Sequence, residues 1–523
     1  MPDAQSQRPT PADAPFNQAN ADTILRSADL VDFRVHRLIL SQASPFFADM
    51  FSLPQPLGVE QRVPVIDVSE DSKTLRYLLS ACYPTDRPEV ETLEEIVPVL
   101  VAGMKYSMDW LAKTLSKSLV ALIPQDPLQV WAHACRSELP VVARLAISDI
   151  RRRGTAEKPA IRVLDDMIRE AGVVSLFQGI NSGTYFRLRQ SIRRSSENSF
   201  VIRPPPHYFP ESSRPIPPTK KLPFVLANPR PDIALKCYDS DVIIEAHGLM
   251  VALQFPRVLH LEILRLRRRH TACTPSIPTH HVDMPFTTLC NLLGACYKGV
   301  SAIPTDVDAV AQMLRQCQRY QVAAPIESLV RQRWDEVSTA SPLEAYFAAV
   351  RHGIRAGDVQ AAAEKTLDIT LLKSYTTLME EVHASAYHFL LLFHSAACAR
   401  VCAQYRRASH IWEVRVGAPA STRAPSTGTH NKGRRSSNLP TTPSILTMLQ
   451  SAEEAVRDGT RAPRASVSDF VLENLLKKVS TAASPGIQLD ALREVWRFLQ
   501  PGMSQELASV SALVSGLASD ASP

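Results

Sequence analysis

Residues 22–47 read DTILRSADLVDFRVHRLILSQASPFF, and this stretch decides the fold. Thr23, Leu25, Phe33 and Val35 alternate with polar neighbours, the period of half-buried strands. Asp29 lies in the intervening turn Ser27-Ala28-Asp29, chemistry that suits a hairpin. Leu38, Ile39 and Leu40 then open a helix. Pro45 ends or kinks it, because proline has no N–H to give to the helix. By themselves these residues predict the start of a small α+β domain.

The same order of features returns about 210 residues later. PDIALKCYDSDVIIEAHGLM (231–250) aligns with ADTILRSADLVDFRVHRLIL (21–40), with one residue inserted in the turn of the second copy, which brings Asp232 to Asp22 and His247 to His36. LRYLLSACY (75–83) aligns with LCNLLGACY (289–297), identical at six of nine positions. Lys105-Tyr106 meets Arg319-Tyr320, DPLQVW (126–131) meets SPLEAY (341–346), and GTYFRL (183–188) meets SAYHFL (385–390). One such block can arise by chance; five in order argue for duplication.

Asp22, the polar turn, the strand Val31–Val35, the step His36-Arg37 and Ser44-Pro45-Phe46-Phe47 resemble the opening of a BTB/POZ domain, a protein-interaction module. The resemblance covers the first 118 residues and, more loosely, the chain to about residue 406. It implies a predominantly helical α+β fold. Two BTB/POZ-like units are expected, each a helical cluster with a small mixed sheet, each followed by a BACK-like helical extension. That arrangement is similar to tandem BTB proteins of basidiomycete fungi. The second copy departs from the pattern where Gly248 follows the histidine and Phe255-Pro256 replaces Ser44-Pro45. The resemblance makes Asp22, Phe33, His36, Arg37, Ser44, Phe46, Phe47, Asp232 and His247 structural or interface residues. His36 and His247 are read as polar anchors that bond backbone near a strand–helix junction, rather than as catalytic bases.

Composition shifts divide the chain. Residues 1–20 read as a disordered N-terminus, 21–118 as the first BTB-like domain and 119–190 as its helical extension. Asp71 and the capping box Thr92-Leu-Glu-Glu95 mark helix starts. Asp126-Pro127 marks another, with proline in a favourable first-turn position. The proline-rich 191–229 reads as a linker. A divergent second BTB-like domain follows at 230–336 and a second helical region at 337–406. Residues 407–465 read as a mostly disordered basic linker with one short helix, Ser444–Arg457. The stretch 414–442 holds five Lys/Arg and no Asp/Glu, a composition that cannot build a core. Helices at Val467–Val479 and Leu489–Leu499 fall within a C-terminal helical region at 466–510, before a disordered tail at 511–523.

Bulk composition fits this plan. At 523 residues the chain exceeds a single core. Its 45% hydrophobic and 21% charged residues are ordinary for a globular protein. Nine cysteines without paired spacing, several in apolar helical patterns, fit reduced thiols in an intracellular, cytoplasmic or nuclear, setting. No apolar h-region opens the chain, and no apolar run reaches membrane-spanning length. The net charge of +6 does not by itself indicate nucleic acid.

Candidate chemistry is sparse. His394, Cys398, Cys402 and His410 come nearest to a metal cluster. The first three follow i, i+4, i+8 spacing, and the third lies about 12 Å from the first, too far to share one ion. A packed helix face accounts for them better. His280-His281 sits in a loop before a strand-like VDM, without partner spacing. The basic runs Arg151–Arg153 and Arg265–Arg269 read as solvated helix ends. Lys432–Arg435 is left as a nuclear-import candidate. No phosphate loop, GxSxG or HExxH pattern is present.

The sequence therefore points to a non-enzymatic scaffold or adaptor with no cofactor, no metal, no small-molecule ligand and no membrane. Its partners are proteins, with self-association foremost. A cullin scaffold of a ubiquitin ligase is the further partner the resemblance allows. Cullin binders of the family often carry a hydrophobic-x-Glu step, and PLGVEQRVPV (56–65) instead has Gly58 two residues before Glu60. The alternative is a nuclear, nucleic-acid-associated regulator that uses the basic tether.

Overall fold

A computed structural model describes residues 8–53, 63–86, 88–193, 200–203, 231–255, 279–416, 445–457 and 462–463. They fall into two compact units, one holding the chain to Ile180 and again from Thr184, the other holding residues 181–183 and the chain from 231 on. The fold is predominantly helical, with small mixed sheets.

The first unit carries a four-stranded sheet in the order β1-β3-β2-β4, with β1 at Thr10–Pro11, β2 at Thr23–Arg26, β3 at Val31–Val35 and β4 at Val65–Asp67. β2 and β3 are antiparallel, Thr23 opposite Val35 and Arg26 opposite Asp32. β4 runs parallel to β2, and β1 parallel to β3. The alternation seen in the sequence is the alternation of burial: Thr23, Leu25, Phe33 and Val35 face the core. At the end of the hairpin Arg26 clasps the carboxylate of its cross-strand partner Asp32 at 2.7 and 3.1 Å.

Helices Arg37–Ala43, Pro45–Ser52, Ser72–Cys82, Leu93–Lys105 and Asp109–Ala121 complete the BTB-like part. Pro45 separates the first two by taking the first-turn position of the second. Asp71 caps the third by accepting from the Thr74 N–H at 2.8 Å. The expected capping box at Thr92 forms differently. Thr92 makes no side-chain cap bond, and Glu95 accepts from the Glu91 N–H at 3.3 Å and pairs with Lys73 at 3.0 Å. Five further helices run from Pro127 to Arg193, the first capped by Asp126, which accepts from the Gln129 N–H.

Residues 8–20 correct the expectation of a disordered N-terminus. The Thr10 and Ala12 N–H groups donate to the Leu30 and Asp32 carbonyls, both at 2.9 Å. Phe16 is fully buried, its ring 5.8 Å from Phe33 and 5.4 Å from Tyr83. One aromatic in a polar, proline-rich tail does not move average composition, yet it is enough to anchor the segment.

The described residues of the second unit repeat the pattern with three strands, β5 at Ile233–Cys237, β6 at Ile243–Ala246 and β7 at Thr279–Val282, in the order β6-β5-β7. β6 is antiparallel to β5, and β7 is parallel to it. Ile233 faces Ala246, the pair that sequence alignment sets on Thr23 and Val35. His280 and His281 lie within β7, not in a loop before it, with His280 buried on one face and His281 exposed on the other. The two histidines break the apolar alternation that would have marked the strand.

Among the described residues eight α-helices follow β6, from Gly248–Gln254 to Ile445–Arg457. The longest, Ala384–Val416, continues ten residues past the expected linker boundary at 406. Its segment Ala384–Ile411 is long and apolar enough to cross a membrane by length and composition, which the sequence reading excluded. Half of that apolar window is buried inside the unit, and a core helix has the same length and composition. The Ile445–Arg457 helix, expected from its amphipathic pattern, packs against it and buries Leu449 and Val456. The helices expected at 467–479 and 489–499, the basic stretch 417–444, most of the proline-rich linker and Arg265–Arg269 lie outside the described residues.

Candidate interaction surface

The strand–helix junction of the first unit is tied by two side chains. Exposed Asp22 accepts from the Arg37 N–H at 2.8 Å, at the start of the Arg37–Ala43 helix. The backbone N–H of His36 donates to the Tyr83 phenol oxygen at 2.7 Å, and the His36 Nδ1 lies 3.3 Å from the same oxygen. The Arg37 guanidinium donates to Thr23 Oγ1 at 2.8 Å and lies over the Phe51 ring. His36 is half-buried and Phe33 fully buried.

The second unit has the same ties. Asp232 accepts from the Gly248 N–H at 2.5 Å. The His247 N–H and Nδ1 each lie 3.1 Å from the Tyr297 hydroxyl. Gly248 can replace Arg37 because the bond uses only the backbone N–H. A third correspondence joins hairpin to helix: Asp29 accepts from the Ser72 N–H at 2.8 Å, and Asp239 accepts from the Phe286 N–H at 2.9 Å. Hydrogen bonds from the Ser27 and Ser72 hydroxyls hold the Asp29 carboxyl below its usual range.

Ser44 is buried and caps the Pro45–Ser52 helix. Its Oγ accepts from the Phe47 N–H at 3.1 Å and donates to the Tyr106 carbonyl at 2.5 Å. Phe47 stacks on Tyr106 with ring centroids 4.8 Å apart, and Phe46 meets the same ring edge-on from a half-exposed position. The Tyr106 hydroxyl donates to Glu70, which also accepts from Lys105 at 2.8 Å. Burial works to raise the Glu70 carboxyl, but the Lys105 and Tyr106 hydrogen bonds outweigh it and hold it below its usual range. In the second unit Tyr320 donates to the Asp283 carbonyl at 2.9 Å, and Arg319 pairs with the Asp283 carboxylate. The Ser44 tie itself is replaced: Phe255 is buried at that corner, and the Ala323 N–H donates to the Gln254 carbonyl at 2.8 Å.

Four of the tying residues, Tyr83, Tyr297, Asp239 and Glu70, were not singled out from the sequence. Their signal was present for the tyrosines, which end the most similar repeat block. The anchor of His36 is thus a tyrosine side chain reached by the histidine backbone, not a backbone group reached by the imidazole.

The remaining surface is apolar in places that a solitary domain would not need. Leu38, on the Arg37–Ala43 helix, is 72% exposed, and Leu53, just past the Pro45–Ser52 helix that carries Phe46, is 63% exposed. Leu249, the counterpart of Leu38, is 68% exposed, and Leu253 lies one turn further on. Such side chains on adjacent helices mark association surfaces when they cluster.

No nucleophile or metal centre emerges among the described residues. Burial pushes the thiols of Cys237 and Cys398 up to about 11 and those of Cys290, Cys296 and Cys317 up to about 12, away from reactive thiolate. His394 is buried with Nε2 2.8 Å from Thr366 Oγ1. Among the described residues no group of three or more His, Cys, Asp or Glu is placed to hold an ion. Of the basic run at 151–153, Arg152 and Arg153 pair with Asp149 at a helix C-terminus.

The BTB/POZ domain family matches residues 13–122 of the chain. BTB domains are protein–protein interaction modules, not enzymes, and they mediate dimerisation. No curated protein matches the chain.

Proposed function

We propose that the chain is a non-enzymatic scaffold that associates through its first BTB/POZ domain, with the second unit a divergent BTB-like module of the same plan. The observation that carries the reading is the doubled framework: aspartate to helix N–H, histidine N–H to tyrosine hydroxyl, and hairpin aspartate to the helix that follows the parallel strand, in each unit. Exposed Leu38, Phe46 and Leu53 supply the surface for a second protein, and Leu249 and Leu253 supply its counterpart. The helices at 127–193 and 324–416 serve as BACK-like supports.

Self-association ranks above a cullin-adaptor role, because the loop sequence around Glu60 lacks the hydrophobic-x-Glu step. A pull-down with the full chain as bait, compared with bait carrying Leu38→Glu and Leu53→Glu, tests the reading. It predicts protein partners, tagged and untagged copies of this chain among them, that the double variant loses. Recovery of nucleic-acid complexes alone, sensitive to nuclease and not to the double variant, would favour a nuclear regulator acting through the basic tether. Cullin recovery would move the adaptor role to first place.

A further inference from the structure

Residues 200–203, which composition alone places in the linker, are docked on the helices of the first unit. Phe200 is fully buried, its ring 6.4 Å from the Trp131 ring on the Pro127–Arg136 helix. The next two carbonyls face the Ser182–Arg193 helix. Arg187 donates from Nε to the Val201 carbonyl at 2.9 Å and from Nη2 to the Ile202 carbonyl at 2.6 Å. Thr184 Oγ1 donates to the same Ile202 carbonyl at 3.0 Å. Arg203 pairs with Glu138 at the far end. Val201 is 38% exposed, so the segment lies in an open groove and not in a sealed core.

This grip has the parts of a peptide-recognition site. Main-chain bonds hold any sequence, and pockets choose among side chains. The planar fork of Arg187 reads two successive carbonyls. The seat on Trp131 takes an aromatic, and Glu138 takes a cation three residues on. The fold does not require the clamp. GTYFRL (183–188) aligns with SAYHFL (385–390), and the aligned core residues are buried in both copies, Tyr185 with Tyr387 and Leu188 with Leu390. Thr184 and Arg187 instead become Ala386 and Phe389. Tyr346, the counterpart of Trp131, donates its hydroxyl to the Ala386 carbonyl at 2.9 Å. Trp131 Nε1 is buried without a hydrogen-bond partner. The self-docked state thus leaves a donor unsatisfied, a cost to its stability.

We propose that the groove between Trp131 and Arg187 is a peptide-docking site, that Phe200–Arg203 is its internal ligand, and that a partner protein displaces it with a segment carrying an aromatic residue and, three residues on, a lysine or arginine. Charge complementarity at Glu138 and the seated Phe200 define that chemistry. The groove lies on the helical extension, apart from Leu38, Phe46 and Leu53, and its role stands whether or not the chain dimerises.

Titration of the full chain with acetyl-Phe-Val-Ile-Arg-amide, read on the Trp131 indole N–H by NMR, tests the proposal. In the native chain the tethered segment competes at a high effective concentration, so Phe200→Ala should bind the peptide at least about tenfold tighter. Adding Arg187→Gln should cost about tenfold or more, with the melting temperature retained. Adding Glu138→Lys should cost about threefold, the range of an exposed ion pair, and should reverse the preference toward the peptide ending in glutamate. If Phe200→Ala fails to fold, Phe200→Leu decides, with an affinity above that of the native chain. Three results overturn the proposal: no binding to the vacated groove at about 10 mM peptide, above the effective concentration of a short tether; equal affinity for native and vacated chains; or affinity indifferent to both Arg187→Gln and Glu138→Lys. A native dimer that Phe200→Ala dissolves would assign the groove to the segment of a second copy and overturns it as well.

Discussion

The backbone N–H of His36 donates to the phenol oxygen of Tyr83, 47 residues away, at 2.7 Å. It fastens the end of β3 to the end of the Ser72–Cys82 helix, and the His247–Tyr297 bond does the same in the second unit. A half-buried amide depends on one phenol oxygen, so the tyrosine matters more than the imidazole. Tyr83→Phe should cost the first unit about 1–3 kcal/mol, because the N–H is left without its acceptor. His36→Ala keeps that N–H and should cost less. Calorimetry of the two variants checks the order; a larger loss for His36→Ala would show that the ring, not the backbone, carries the tie.

Asp22 and Asp232 act as helix caps from a distance. Asp22→Ala and Asp232→Ala should each lower stability by about 0.5–2 kcal/mol, the range for lost capping acceptors. Chemical denaturation of each variant measures it. Equal loss in the two supports equal roles, and no loss in either would remove the doubled framework from the account.

His394 titrates against the fold. Burial pushes its pKa down to about 4 from an ordinary 6.5. The Thr366 hydroxyl donates to the Ala363 carbonyl at 2.6 Å, so it must accept from His394 Nε2–H, which fixes the neutral tautomer. The folded pKa is the lower one, so the unfolded chain binds the extra proton between 6.5 and about 4. Stability is therefore full above 6.5 and falls as pH drops through that window, by up to about 3 kcal/mol. His394→Leu should flatten that part of the pH–stability curve. An unchanged slope would place the acid sensitivity elsewhere.

The Ile445–Arg457 helix reaches the long helix through buried Leu449 and Val456, and Glu453 pairs with Arg406 at 3.3 Å. Truncation at Pro440 removes these contacts. Each buried aliphatic side chain contributes about 1.5–3 kcal/mol, so the melting temperature should fall. Unchanged melting with loss of a captured partner would make the C-terminal helices a recruitment element instead.

The hairpin at 23–35 was legible because its burial follows strict alternation, and the helices at 72, 127 and 445 because caps and amphipathic stripes mark them locally. The Phe16 segment was not, since a single buried aromatic leaves no periodicity. β7 was not, since His280 and His281 interrupt the apolar pattern. The far end of the Ala384–Val416 helix was hidden by arginines that a solvated helix face accommodates as readily as a linker does. Of the candidate residues, Asp22, His36, Ser44, Asp232 and His247 meet at junctions, but their partners Tyr83, Tyr106 and Tyr297 lie dozens of residues away. Only the repeat, read block against block, brings those tyrosines into view.

Sedimentation of the purified full chain over a concentration series tests the central claim most directly. The account predicts a reversible dimer of twice the 57.8 kDa chain mass, shifted to monomer by Leu38→Glu with Leu53→Glu and with the melting temperature retained. A monomer at every concentration, unchanged by those substitutions, would contradict it.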